Sequence, residues 1–177
     1  MPHDLELDSV NFVTIGTVGP PGQRTFHLQA RMDDELVTLT IEKFQASAIA
    51  DSIDQILEQI DAEYSLQTPD VDVSRMDLAL LEPILPRFRV GQIGMGYDAD
   101  SDHIFLVAGE LLPEEAPDEP RTVRIGATRD QMIALAEHAR HVVEQGRPIC
   151  GNCGQPMDPD GHFCPRSNGH RKPVPWA

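Results

Sequence analysis

The sequence predicts an α+β fold: two β-meander-plus-helix units packed into one body, followed by a small zinc-ribbon-like segment. Three observations carry this. Residues 10–62 and 86–146 each pass through three strand-like runs into a helical stripe. All three cysteines fall in the last 28 residues. A length of 177 residues suits one domain with a small appendage, which divides the chain into a body at 1–146 and a tail at 147–177.

In the first unit, Val13 and Ile15 begin an extended run broken by Gly19-Pro20-Pro21-Gly22, a strong turn signal. From Arg24 to Ala30 the chain alternates, with Phe26, Leu28 and Ala30 on one face. Asp33-Asp34 turns it again, and Leu36 to Ile41 forms a third strand. Ala46, Ile49, Ala50, Ile53, Leu57 and Ile60 then recur at helical spacing.

The second unit repeats the order. Phe88 to Tyr97 is strand-like, and its apolar phase slips at Gly91, where a bulge fits. Asp98 to Asp102 is a turn, and His103–Ala108 and Arg121–Ile125 are strands. A helix runs from Arg129 to Gln145, opened by a capping box of Thr128 and Gln131 and ended by Gly146. Its stripe is Met132, Leu135, Ala136, Ala139 and Val143. Gly16, Leu28 and Ala30 match Gly94, Leu106 and Ala108 at an offset of 78, and the helix stripes match at 86, which is the pattern of an internal duplication. Residues 61–82 read as a connector, and the acidic, Pro-rich loop from Glu110 to Pro120 as a solvated surface segment.

Charge narrows the function. Fourteen Lys and Arg against twenty-nine Asp and Glu leave −15, which repels phosphate backbones and argues against a general nucleic-acid binder. No stretch approaches 18 consecutive apolar residues, and the acidic start lacks the basic-then-apolar pattern of a leader. The expectation is a cytoplasmic protein with no membrane partner.

The chemistry is concentrated in the tail. Cys150-Gly-Asn-Cys153-Gly is a knuckle that turns two sulfurs toward one centre, and Cys164 follows after ten residues. A structural Zn2+ needs four tetrahedral N or S ligands. His170 is the preferred fourth, because Cys164-x5-His170 allows a loop through Asn168-Gly169 to fold back. His162 is the alternative, two residues before Cys164, where the short separation strains a common tetrahedron. A thioredoxin-type redox pair would open a helix, whereas Pro148, Gly154 and Pro156 suit a loop. A catalytic zinc lacks parts: no His-x-Glu lies upstream, and His141-Val-Val-Glu144 is not a His-Glu-x-x-His. Metal also supplies the stability that some 30 residues poor in apolar groups cannot find in a core of their own. The single Trp176 is expected to pack on the domain.

Other patterns are weaker. Asp98-x-Asp100-x-Asp102 lacks the glycine and the final glutamate of a calcium loop. Gly91, Gly94 and Gly96 lack phosphate-loop spacing. His138 and His141 read as helix-flank residues, and Glu42, Asp77 and Glu82 show no acid/base spacing.

Phe12–Gly19, Arg24–Arg31 and the terminal Cys150-Gly-Asn-Cys153 with Phe163-Cys-Pro-Arg-Ser-Asn-Gly-His170 together resemble an uncharacterised actinobacterial family, the domain of unknown function 3090, described as a conserved hypothetical repeat protein. The resemblance covers essentially the whole chain and implies no activity. It implies partners instead, since members tend to be encoded beside kinase-like and phosphatase-like proteins. The expected function is a non-catalytic interaction or adaptor protein with a structural zinc. The alternatives are an enzyme with a pocket between the halves, lined by Arg87, Arg89, Tyr97 and His103, and weak nucleic-acid contact through the zinc ribbon.

Overall fold

The computed structural model describes residues 5–158, 161–166 and 173–174. A short leading strand, β1 (Leu5–Leu7), precedes the first meander of β2 (Phe12–Val18), β3 (Thr25–Met32) and β4 (Glu35–Ile41). The meander is antiparallel, with Ile15 opposite Leu28 and Leu28 opposite Leu39, so the alternation puts the apolar side chains on one face. Gly19 and Gly22 supply the left-handed backbone of its first turn, at φ +106° and +86°. Helix α1 (Lys43–Tyr64) follows and buries the stripe from Ala46 to Ile60 together with Gln45.

The second meander is β5 (Pro86–Asp98), β6 (His103–Glu110) and β7 (Thr122–Thr128), followed by α2 (Arg129–Glu144). The register breaks between Val90 and Gln92, at the glycine where the apolar phase slips. Thr128 and Gln131 cap α2 reciprocally: Oγ1 of Thr128 accepts from the Gln131 amide at 3.2 Å, and Oε1 of Gln131 accepts from the Thr128 amide at 2.9 Å. The buried stripe ends at Val142 rather than Val143. In the tail, β8 (His162–Phe163) pairs with β9 (Pro173–Val174).

The two meanders do not form separate sheets. They share one seven-stranded sheet in the order β1-β7-β6-β5-β4-β3-β2. The long β5 serves both: its start runs parallel to β4, with Thr38 beside Pro86, and its remainder is antiparallel to β6. β1 does the same for β7, with Glu6 beside Arg124. Each unit's third strand is therefore completed by the leading segment of the other. Shifting the leading segments by 80 and the third strands by 86 carries the Glu6–Arg124 pair onto Pro86–Thr38. The same shift of 80 holds inside the hairpins, where Ile15 faces Leu28 and Met95 faces Leu106. The partner of Gly16 is thus Gly96, not Gly94, because the turn between β5 and β6 is two residues shorter than that between β2 and β3.

Both helix stripes and the inward side chains of both meanders merge into one buried cluster. α2 lies against β2 and α1 against β5, so each helix covers a strand of the other unit. Arg140 of α2 reaches Asp51 and Asp54 of α1. The brevity of β1 is offset by Leu7, which is fully buried and contributes roughly 1.5–3 kcal/mol on that account.

On the opposite face of the first meander lie Thr14, His27, Gln29, Thr38 and Thr40, all buried although polar. Their cover is the end of the connector. After a 3-10 turn at Val73–Arg75, the chain crosses this face as a strap. Oγ1 of Thr14 donates to the Leu78 carbonyl at 2.5 Å. The Gln29 amide accepts from the Leu81 N–H and donates to the Leu81 carbonyl, both at 2.8 Å, much as a neighbouring strand would. Leu80 rests on Gly16, where a Cβ would meet its Cγ at 2.5 Å.

Candidate metal centre

The tail opens as a tight hairpin. The Cys150 amide donates to the Gln155 carbonyl at 2.8 Å, the Gly154 amide to the Cys150 carbonyl at 2.9 Å, and the Met157 amide to the Pro148 carbonyl at 2.8 Å. Gly154, at φ +74°, closes the turn in a conformation a side chain would strain. A second reversal at Gly161, φ +101°, brings β8 back across the knuckle. His162 and Cys164 are two apart on this extended segment and so face the same side.

The ligand atoms of Cys150, Cys153, His162 and Cys164 all lie within 4.8 Å of one another. The Sγ atoms of Cys150 and Cys164 are 4.0 Å apart, and Cys153 Sγ is 3.3 Å from His162 Nε2. A tetrahedral ion with Zn–S and Zn–N bonds of ordinary length sets such edges at about 3.5 Å, so the set can hold a metal ion. Cys150 and Cys164 are buried and all three cysteines are free. Asn152 Nδ2 donates to Cys164 Sγ at 3.4 Å.

The electrostatics point the same way. The amides of Cys153 and Asn152 aim at Cys150 and lower its pKa. Cys153 also receives an amide, from Gln155, but burial and the neighbouring thiols of Cys150 and Cys164 push its pKa up. Three thiolates crowded together repel, and a divalent cation at their centre removes that cost.

The structure therefore gathers Cys150, Cys153 and Cys164 as the spacing predicts, with His162 beside them. The extended geometry of β8 overcomes the short separation that disfavoured His162. His170 and Trp176 lie outside the described residues. Cys150 to Cys153 form a turn, not a helix start.

The remaining candidates do not assemble into a site. Asp98 accepts from the Asp100 amide within its turn, and Asp102 is held by Tyr97 and Arg129. That partnership keeps the Asp102 carboxyl below its ordinary range, chiefly through the Arg129 guanidinium. His141 bonds Gln145, Glu42 pairs with Arg89, and Asp77 accepts from the Ala79 amide. Arg89 and Tyr97 sit eight residues apart on one strand, about 27 Å at the usual rise, so the expected convergence of Arg87, Arg89, Tyr97 and His103 does not occur.

A cavity between the halves exists elsewhere. It has a volume of about 380 Å3 and lies where the β2–β3 turn, the start of α1, the start of β5 and the end of α2 meet. Arg24, Lys43, Arg89 and Arg147 line it with Glu42. Spacing gives no sign of this cluster, because each cation comes from a different element.

The arrangement defines a class: an α+β body of two interlocked units carrying a Cys3His cluster suited to a metal ion. A family model described as a protein of unknown function (DUF3090) matches residues 5–164, and the chain belongs to that family. No curated protein and no solved structure matches it. Among the described residues no helix is long and apolar enough to cross a membrane.

Proposed function

We propose that the chain is a non-catalytic interaction or adaptor protein of the cytoplasm whose carboxyl-terminal module is held in shape by one structural Zn2+. The observation that supports it is the Cys3His cluster with two buried sulfurs. Four protein ligands fill a tetrahedron and leave no position for a reacting water. A reducing compartment keeps the three thiols available to metal. The kinase-like and phosphatase-like proteins implied by the family resemblance are the first partners to test.

Metal analysis of protein purified under reducing conditions should give one zinc per chain, and thiol titration should show three protected sulfhydryls that react after chelation. Immobilised protein should then retain one of the two partners, and the Cys153→Ser variant should lose it. Metal-free protein with an ordered tail, or retention of neither partner, sinks the reading.

A second reading, an enzyme acting on a small molecule, draws support from the cavity between the halves. Turnover of a small molecule by the purified chain, abolished by substitutions lining the cavity, would favour it.

A further inference from the structure

Four of the fourteen cationic side chains of this acidic protein line one cavity with a single carboxylate, Glu42. Two are engaged by acids: Arg89 by Glu42, and Arg147 by Asp158 at 2.7 Å. The other two form no ion pair among the described residues. Arg24 is anchored by Nη1 to the Val142 carbonyl at 2.8 Å and lies over the Phe26 ring, 4.9 Å from its centroid. Its Nη2 remains, and it converges with Lys43 Nζ on Gly146: a Cβ there would stand 3.3 Å from Lys43 Nζ and 3.4 Å from Arg24 Nη2. Crowding like charges costs free energy in an empty cavity, and an anion of matching charge reverses the sign.

Size and wall chemistry refine the ligand. With Glu42 and Asp158 set against the four cations, two net positive charges remain. That exceeds what one carboxylate neutralises, whereas a phosphate group carries nearly two negative charges and accepts from several donors. Buried Phe26 and Ile41 supply an apolar part of the wall, and the volume exceeds that of one phosphate, leaving room for an organic remainder. We infer that this cavity binds the phosphate group of a small molecule, with Lys43 and Arg24 as the principal contacts and Arg89 and Arg147 closing the charge around it. Arg24, Lys43, Arg89 and Glu42 belong to the body and only Arg147 to the start of the tail, so the site does not rest on the zinc reading.

The test uses the full chain as purified, at constant ionic strength, with inorganic phosphate and glycerol 2-phosphate as probes, followed by calorimetry and by 31P line broadening. Both ligand sources share the same contacts; the tighter of the two identifies which is bound. Saturable binding is expected. Lys43→Gln, an exposed position whose loss leaves the fold intact, should weaken it about tenfold or more. Arg24→Gln should do the same. Arg75→Gln, on the connector, should leave it unchanged. No saturation at millimolar phosphate, equal effects from chloride, or undiminished binding by Lys43→Gln would overturn the inference.

Discussion

The two units share their strands, registers and helices, yet their faces opposite the core differ. Where the first carries Thr14, Gly16, His27, Gln29, Thr38 and Thr40, corresponding positions of the second carry Gly94, Gly96, Phe105, Val107, Arg124 and Gly126. The first face is polar and covered by the strap; its side chains answer the strap's backbone. The second carries glycines with nothing within 4 Å at Gly94 and Gly96, an exposed Val107, and Arg124 lying 3.6 Å from the Phe105 ring centre. Inside, apolar burial dictates the same residue types to both halves. Outside, residue choice follows whatever segment lies above. A buried face turned toward backbone needs donors and acceptors; the second face, covered by backbone at Gly126, where Asp8 approaches, and open at Gly94 and Gly96, needs fewer.

That contrast can be broken most sharply at Gln29. Gln29→Ala leaves the Leu81 N–H and carbonyl unpaired under the strap and should cost about 2–4 kcal/mol, read as a lower urea midpoint. Val107→Ala, at the corresponding position, should cost less than about 1 kcal/mol because its side chain is already partly in water. Comparable losses at both sites would erase the distinction. Next come the glycines. Gly16→Ala drives a Cβ into Leu80 and should cost about 1–3 kcal/mol, while Gly96→Ala meets open space and should stay within about 0.5 kcal/mol. Thr14→Val removes the bond to the Leu78 carbonyl, with the longer one to the Ile15 carbonyl, and should cost about 1 kcal/mol. The smallest effect is a pH dependence. Burial lowers the pKa of His27, so the unfolded chain binds the proton more readily. The stability this provides is present above the imidazole's ordinary 6.5 and is lost as pH falls from there through the lowered folded value. His27→Gln should flatten the stability profile below neutrality; an unchanged profile would assign the dependence to other groups, such as His138, whose pKa burial also lowers.

Much of the fold is legible in residue pattern because it rests on local periodicity. Alternation marks six strands, the stripes mark both helices, and Thr128 with Gln131 marks a cap to the residue. The slip at Gly91 marks the bulge. What escapes pattern is long-range. β1 offers only Leu5 and Leu7, too little alternation to stand out, and exists because β7 needs a neighbour. The strap has no period of its own, since its bonds run through backbone to Thr14 and Gln29. The offset of 78 misplaces the first strands because turn length is invisible to a match of side-chain types. Three members of the candidate metal cluster follow from cysteine spacing. His162 needed the reversal at Gly161 to be brought home, a matter of backbone path rather than of distance along the chain.

The mutual completion of β4 by β5 and of β7 by β1 has an implication for ancestry and assembly. A half-length polypeptide with this geometry would end in a naked third strand, and lending its own leading segment to a twin would satisfy both copies at once, by a twofold axis. Joining such twins end to end would preserve every pairing while creating one linker that either copy alone would lack; in this chain the segment in that place lies across Thr14 and Gln29. Severing the backbone near residues 66–70, ahead of the strap, would therefore be expected to yield two fragments that remain clasped, because what unites them is hydrogen-bonded exchange and a common interior rather than the peptide bond between them.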